Sequence, residues 1–166
     1  MRAEHEQAFT EYAQGRALEL RRTAYRLCGS WDEAHDLLQT ALVRLYRHWE
    51  RVSAADSPDA YVRRMLVNVY LEQRRSWWSR VVRAYAEPPE QPAPPDGIDG
   101  RLDLMAALAR LAPGQRAVLV LRYWEGLDVA ETANALGCST GTVKSQSAYA
   151  IAALRRLMPD YVGGGK

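Results

Sequence analysis

The sequence GLDVAETANALGCSTGTVKSQSAYAIAALRR, residues 126–156, predicts two helices joined by a tight turn. Asp128, followed three residues later by Glu131, is a capping-box variant that starts the first helix. Gly137 stands where that helix must end, because glycine readily adopts the left-handed backbone of a C-terminal cap. Ser139 then caps the second helix. We therefore predict a helix-turn-helix in the second half of the chain.

Packing positions within this unit fit a helix-turn-helix that reads DNA. Ala133 is small where the two helices cross, and Val143 packs the second helix onto the first. The rest of the second helix offers polar side chains that can meet phosphates and base edges in a major groove. These candidate DNA contacts are Ser139, Thr140, Thr142, Lys144, Ser145 and Gln146. An ordinary helical hairpin with a polar face is the competing interpretation of this stretch.

The composition of the 166-residue chain argues against several classes of protein. Hydrophobic residues make up 48% and charged residues 25%, which is not the composition of a disordered chain. No apolar run approaches the roughly 20 residues of a membrane span, and the amino-terminal MRAEHEQAFTEY is too polar for a secretory signal. Cys28 and Cys138 form no Cys-x-x-Cys pair, so we expect neither a disulfide nor a zinc site, and a reducing cytoplasm.

The net charge of +2 is small for a protein that holds DNA unaided, because affinity for DNA comes mostly from neutralised phosphates. The positive charge is nevertheless concentrated in one segment, where only Glu72 opposes it. The arginines of this segment are Arg63, Arg64, Arg74, Arg75, Arg80 and Arg83. The distribution therefore predicts a local basic face.

The start of the chain predicts two amphipathic helices. The first runs from about Glu4 to Cys28, as one bent helix or two shorter ones, because Gly15 interrupts the pattern. A second capping box at Ser30 and Glu33 opens a helix that reaches about Glu50. Its outer face carries Asp32, Asp36, Gln39, Thr40, Arg44 and Arg47. That face is either solvated, which the pattern alone favours, or a docking strip for a partner.

A third long helix is predicted to begin at Ser57-Pro58, after the polar loop 51–57, and to end at Trp77 and Trp78. Its outer face holds Arg63, Arg64, Asn68, Glu72, Arg74 and Arg75. Arginines mixed with aromatic residues suit melted or single-stranded nucleic acid, since guanidinium groups hold phosphates while rings stack on exposed bases. The residues equally allow the tryptophans to complete the core and the arginines to keep the helix soluble.

Residues 87–100, EPPEQPAPPDGIDG, contain five of the eight prolines and divide the chain. We predict an all-α protein with a first helical domain at 1–86, this Pro-rich linker, a second helical domain at 101–160 and a tail at 161–166. The second domain opens with a short amphipathic helix, and Pro113 starts another. The predicted core residues of that helix are Val118, Leu119, Leu121 and Tyr123. No segment has the alternation of a strand.

With both halves in view, the sequence resembles the extracytoplasmic-function sigma factors of bacterial RNA polymerase, a group of the sigma-70 family. DLLQTAL, residues 36–42, is similar to the segment that binds the clamp helices of the polymerase's largest subunit. YVRRMLVNVYLEQRR, residues 61–75, resembles the helix that melts and reads the downstream promoter element. LAPGQR, residues 111–116, and the stretch 125–146 are similar to the fourth region, which reads the upstream element.

The resemblance implies roles for individual residues. Asn68 matches the family asparagine that helps hold a flipped base, and the loop 51–57 would form part of the pocket wall. The implied downstream contacts are Arg63, Arg64, Asn68, Arg74, Arg75 and Trp77, and the implied polymerase contacts are Asp36, Leu37, Gln39 and Thr40. The polar residues of the second helix of the helix-turn-helix would face the upstream element. The implied polymerase contacts lie on the outer face of the helix that starts at Ser30, so the resemblance favours a docking strip there over a solvated face.

Some positions depart from the family pattern. Thr40 stands where many members have glutamate, and Thr132 replaces a branched apolar residue, which predicts looser packing. Gln146 and Tyr149 stand where many relatives have arginine. Fewer positive charges there should reduce phosphate contacts and salt dependence at the upstream site.

The predicted function is a promoter-specificity subunit, with core RNA polymerase and promoter DNA as partners and no cofactor, metal, small-molecule substrate or membrane span. The resemblance adds an anti-sigma protein as a candidate partner, acting in trans because nothing here resembles a fused regulatory domain. The alternative is a stand-alone helix-turn-helix regulator that binds an operator without polymerase, and the polymerase-like first half argues against it. An enzyme would need a nucleophile, a metal cluster or a phosphate loop, and the sequence contains no such pattern.

Overall fold

The computed structural model describes residues 2–84 and 100–158, and the side chains of residues 2–75 and 104–158. Within these ranges the protein is helical and has no strand, which confirms the predicted all-α class. The helices are α1 Arg2–Cys28, α2 Trp31–Arg47, α3 Trp49–Ser53, α4 Pro58–Ala84, α5 Gly100–Ala109, α6 Pro113–Leu119, α7 Val129–Leu136 and α8 Thr140–Leu157. The predicted tail and all of the predicted linker except Gly100 lie outside the described residues.

The helix-turn-helix follows its local sequence signals. The Asp128 carboxylate accepts from the Glu131 N–H at 2.7 Å, and the Glu131 carboxylate accepts from the Asp128 N–H at 3.2 Å, which completes the capping box. Gly137 ends α7 with φ 68° and ψ 37°, and the Ser139 hydroxyl accepts from the Thr142 N–H at 3.1 Å. Val143 is fully buried and packs α8 against α7. The predicted caps of this unit are therefore confirmed.

The first half differs from the prediction at its helix boundaries. α4 continues past Trp78 to Ala84, whereas α1 is one helix through Gly15, which is one of the two predicted alternatives. The predicted loop 51–57 is shorter, because α3 takes up its first residues. The chain turns at His48 so that Trp49 can enter the core, where it is 6% exposed. Burial of α3 thus outweighs the polar character of the segment.

The second capping box is only half formed. The Glu33 N–H reaches the Ser30 hydroxyl at 3.5 Å, but the Glu33 carboxylate accepts from Arg74 at 2.8 Å instead of returning to the cap. A long-range ion pair between α2 and α4 has replaced the local bond. Arg74 is consequently bound to the body of the first half.

One hydrophobic cluster contains residues from both halves of the chain. From the first half it includes Leu27, Leu37 and Leu66, and from the second it includes Leu121 and Ala135. Helices α4 and α7 lie against each other across this cluster. A further cluster around Trp49 belongs to the first half, and two others fix α5 and the helix-turn-helix in the second half. The two helical units therefore share part of their cores.

A π-helical turn, Val120–Trp124, follows α6. The Glu125 N–H donates to the Val120 carbonyl at 3.0 Å, so this turn holds one residue more than an α-helical turn. The turn leaves Tyr123 58% exposed, so the predicted core role of Tyr123 is wrong. The side chain of Trp124 packs against the shared cluster, and that of Glu125 meets the first half of the chain.

Two glycines are expected to respond oppositely to alanine. Gly137→Ala should lower the free energy of unfolding by about 1–2 kcal/mol, because a side chain strains the left-handed backbone at φ 68°. Gly15→Ala, the control, should raise it by about 0.5–1 kcal/mol, since a Cβ there meets nothing within 4 Å and alanine favours the interior of α1. Urea unfolding measures both changes. The same sign for both would contradict the assigned backbone conformations.

Candidate nucleic-acid and polymerase interfaces

The exposed start of α8 is the first candidate interface. Ser139, Thr140, Thr142, Lys144 and Ser145 are exposed there, whereas Gln146 is half-buried. The Ser139 and Thr142 hydroxyls also bond to each other at 2.9 Å, so these two side chains are oriented by the cap. The structure thus brings the residues predicted for the upstream element onto one helix end, with Lys144 as the positive charge among them.

Thr132 lies behind this surface and is fully buried. Its hydroxyl donates to the Asp128 carbonyl at 2.8 Å, so the buried oxygen has a partner. The Asp128 carbonyl therefore satisfies the hydroxyl of Thr132, which stands where many relatives have an apolar side chain.

The predicted downstream contacts form two rows on α4. From the helical period of about 100° per residue, Arg64, Asn68 and Arg75 share one face, while Arg63 and Arg74 share a face turned by about 100°. Arg64 and Arg75 are exposed, and Asn68 is half-buried. Trp77 belongs to α4, but its side chain lies outside the described ones. The first row is thus the part of α4 that is open to a ligand.

The second row is occupied by contacts within the protein. Arg74 donates to Glu33 and to the Cys28 carbonyl, and its guanidinium lies 5.6 Å from the centre of the Tyr70 ring. The Arg63 Nε atom lies 3.8 Å from a carboxylate oxygen of Glu125. The sequence analysis predicted that Arg63 and Arg74 would be free to hold DNA. In the structure, both guanidinium groups instead contact carboxylates of the protein.

The groups beneath α4 do not titrate near neutral pH. Burial raises the pKa of the Tyr70 phenol and of the Cys28 thiol, so both stay neutral. Burial lowers the pKa of Arg116, which remains charged because arginine begins so far above neutral pH. The affinity of α4 for a phosphate backbone should accordingly depend on salt concentration more than on pH.

The predicted polymerase strip lies on the solvent side of α2. Asp36 and Gln39 are exposed, and Thr40 is half-buried with its hydroxyl donating to the Asp36 carbonyl at 3.1 Å. Leu37 is the exception: it is fully buried in the shared cluster, so it makes no surface available for direct contact. The family resemblance of the segment 36–42 placed Leu37 among the polymerase contacts, although its helical spacing belongs to the buried side of α2.

The same face of α2 carries an apolar residue that the sequence analysis missed. Val43 is 52% exposed and lies two helical turns after Asp36, on the side of Thr40. Tyr46 is 39% exposed close by. The sequence signal was that Val43 falls outside the helical spacing shared by the residues that α2 buries, which are Ala34, Leu37, Leu38, Ala41 and Leu45. Single exposed apolar side chains are common on protein surfaces, so Val43 is assigned to the strip by its position beside Asp36 and Thr40 and not by its exposure.

Among the described residues, no group of three or more histidine, cysteine, aspartate and glutamate side chains could hold a metal ion. None of the described helices is both long enough and apolar enough to cross a membrane.

Comparison with known proteins identifies the family. The model of sigma-70 region 2 matches residues 16–80, and that of sigma-70 region 4 matches residues 101–154. The RNA polymerase sigma-E factor of Streptomyces avermitilis is 42% identical over 154 residues, which cover 89% of this chain and 83% of the relative. This chain belongs to the sigma-70 family of RNA polymerase sigma factors. The identification as a sigma factor favours this role over that of a stand-alone regulator.

Other relatives of this sigma factor agree. The extracytoplasmic-function sigma factor SigL of Mycobacterium tuberculosis is 36% identical over 146 residues, covering 84% of this chain and 82% of the relative. The sigma factor RpoE of Bartonella quintana, solved in complex with the anti-sigma factor NepR, has a TM-score of 0.72 at 23% identity, covering 93% of this chain and 99% of that one. The first supports the predicted group, and the second shows a shared fold.

Proposed function

We propose that this sigma factor directs core RNA polymerase to promoters through three separate surfaces. The strip of Asp36, Gln39, Thr40 and Val43 on α2 docks on the polymerase. The row of Arg64, Asn68 and Arg75 on α4 holds melted DNA of the downstream element. The start of α8 reads the duplex of the upstream element. The observation that carries this division is that each surface is exposed on a different helix.

The chemistry of each surface suits its assigned ligand. On α4, two exposed guanidinium groups flank an amide on one face, so phosphates and a base edge can be bound together. Taking a base out of the stack costs a few kcal/mol of free energy, and contacts in a pocket around Asn68 must offset that cost. On α8, hydroxyl groups and one ammonium group can bond to base edges and phosphates. We assign no catalytic step to the chain itself.

The partners and location follow from the same proposal. Core RNA polymerase and promoter DNA are the two obligatory partners, and the cytoplasm is where both are found. The net charge of +2 fits a protein that binds promoter DNA well only when the polymerase supplies further basic surface. An anti-sigma protein acting in trans is a further proposed partner.

Run-off transcription from fragmented genomic DNA tests the function directly. Core polymerase should produce new, discrete start sites only when this protein is present, and the sequences upstream of those sites define both promoter elements. No new start sites, together with tight DNA binding by the protein alone, would instead indicate a stand-alone regulator. Absence of both would overturn the proposal.

Asn68→Ala should reduce promoter opening by about ten-fold or more while polymerase binding stays unchanged, because it removes one specific contact of about 1–3 kcal/mol to the melted strand. Permanganate reactivity of the melted strand and co-elution with core polymerase measure the two effects. Gln73→Ala is the matched control, since Gln73 is an exposed amide on the opposite side of α4. An equal loss of polymerase binding would mean that Asn68 is structural.

A further inference from the structure

The loop 54–57 between α3 and α4 lies at the surface of the first half. Ala54, Asp56 and Ser57 are exposed, and Ala55 is half-buried. The helices on both sides of the loop are anchored in the cluster around Trp49. Because the side chains of the loop contribute little burial, the position of the loop depends on how α3 and α4 are held relative to each other.

Tyr12 of α1 contacts both of these helices. Its ring packs on the ring of Trp49, the first residue of α3, with the ring centres 5.2 Å apart and the planes at 47°. Its hydroxyl donates to the carboxylate of Asp59, which lies in the first turn of α4. One side chain therefore joins the helix before the loop to the helix after it.

Arg16 supports the same carboxylate. Its guanidinium donates to the other oxygen of Asp59 at 2.7 Å, but both side chains of this ion pair are more than 40% exposed, so solvent screens it. Burial and the bond to Asp59 raise the pKa of the half-buried Tyr12 phenol, which stays a neutral donor at physiological pH. The hydroxyl of Tyr12 is thus the better-shielded of the two donors.

This anchor lies on the side of α4 that faces away from the proposed DNA surface. Asn68 follows Asp59 by about two and a half helical turns, which places it about 180° around the helix. The contact with Tyr12 consequently leaves the row of Arg64, Asn68 and Arg75 open. Tyr12 can influence DNA binding only through the positions of α4 and the loop.

We propose that Tyr12 is a positioning residue for downstream promoter recognition, which fixes loop 54–57 beside the base pocket of α4 by joining α3 to Asp59. This inference rests on the proposed function and on the loop forming part of the wall of the pocket around Asn68. A site distinguishes bases only if its groups are held within about 0.5 Å of the productive geometry. A loosened loop should therefore lower base selectivity while polymerase binding is unchanged.

The test measures promoter opening by the holoenzyme, on promoters found by run-off transcription and on copies with one substituted base in the downstream element. The ratio of the two yields of permanganate-reactive DNA is the selectivity. Tyr12→Phe keeps the ring on Trp49 but removes the hydroxyl. It should lower the selectivity at least about three-fold, which is part of the discrimination that one base contact provides. Co-elution with core polymerase should be unchanged.

Variants of the acceptor separate the hydrogen bond from other effects. Asp59→Ala removes the acceptor and should also lower the selectivity, whereas Asp59→Asn keeps an oxygen that can accept from Tyr12 and should retain more of it. The double variant of Tyr12→Phe and Asp59→Ala should lose no more selectivity than Asp59→Ala alone, because both changes break the same bond.

Tyr46→Phe is the matched control, since the Tyr46 hydroxyl donates to the Glu6 carboxylate at 3.2 Å and so joins α2, not α4, to α1. It should keep the selectivity of the wild type. Thermal unfolding compares the stabilities of all variants. If Tyr12→Phe loses stability but keeps its selectivity, its role is purely structural and the inference is wrong. If the wild type itself selects no promoters, the proposed function is wrong and this inference falls with it.

Discussion

Leu37→Ala is expected to lower the free energy of unfolding by about 2–5 kcal/mol. Leu37 is fully buried beside Leu27 and Leu66, so truncation removes apolar contacts and leaves a cavity in the cluster that both halves share. Denaturant unfolding followed by circular dichroism measures the change. The matched control is Gln39→Ala, two residues later on the exposed face of α2, which should change stability by no more than about 0.5 kcal/mol.

Affinity for core polymerase should show the opposite order, with the direct effect in Gln39→Ala and not in Leu37→Ala. Gln39→Ala should weaken binding to core polymerase without any change in unfolding, because its side chain lies on the proposed strip. For Leu37→Ala, any weakened binding should follow the unfolded fraction and recover under stabilising conditions. A Leu37→Ala protein that stays fully stable but fails to bind polymerase would restore the direct contact implied by the sequence.

Lys144→Gln is expected to weaken transcription from promoters with an intact upstream element about ten-fold, because a contact to a base edge or phosphate contributes about 1–3 kcal/mol. If Lys144 binds a phosphate, the slope of log affinity against log salt should also fall by about 1. Lys144 is exposed in the second turn of α8, where it can enter the groove. Holoenzyme binding to the selected promoters at three salt concentrations provides the measurement.

Arg155→Gln is the control for Lys144→Gln, since it removes one exposed positive charge about 16 Å further along the same helix. It should change promoter affinity less than two-fold, because salt screens a charge this far from the groove. Equal losses for both variants would show that α8 binds DNA along its length and would contradict docking by its first turns.

Local signals in the sequence predicted the helix-turn-helix well. Asp128, Gly137 and Ser139 act through bonds to residues three or four positions away, so their effects appear in any short stretch of sequence. Tyr123 was misplaced because the π-helical turn adds a residue that no local pattern marks. Periodicity therefore predicts helix faces reliably only where the helix keeps one geometry.

The sequence predicted where the candidate surfaces lie, but it did not predict which of their side chains are free to bind a ligand. The sequence placed Arg63 and Arg74 on α4, yet it did not reveal that Glu125 and Glu33 would meet them. These pairs join residues far apart in the chain, and the single sequence offers no pattern for such contacts. Arg116 was likewise noted only as part of a family-like segment, because its burial depends on how the two halves pack.

The end of α4 at Ala84 and the start of α5 at Gly100 limit how far apart this sigma factor can hold two sites on DNA. Sixteen Cα steps (100 − 84) separate these residues, and a fully extended chain of that length spans at most about 55 Å. The same distance along B-DNA corresponds to about 16 base pairs. One chain residue and one base pair thus cover nearly equal lengths, so each residue deleted between the helices should shorten the longest accepted promoter spacer by about one base pair.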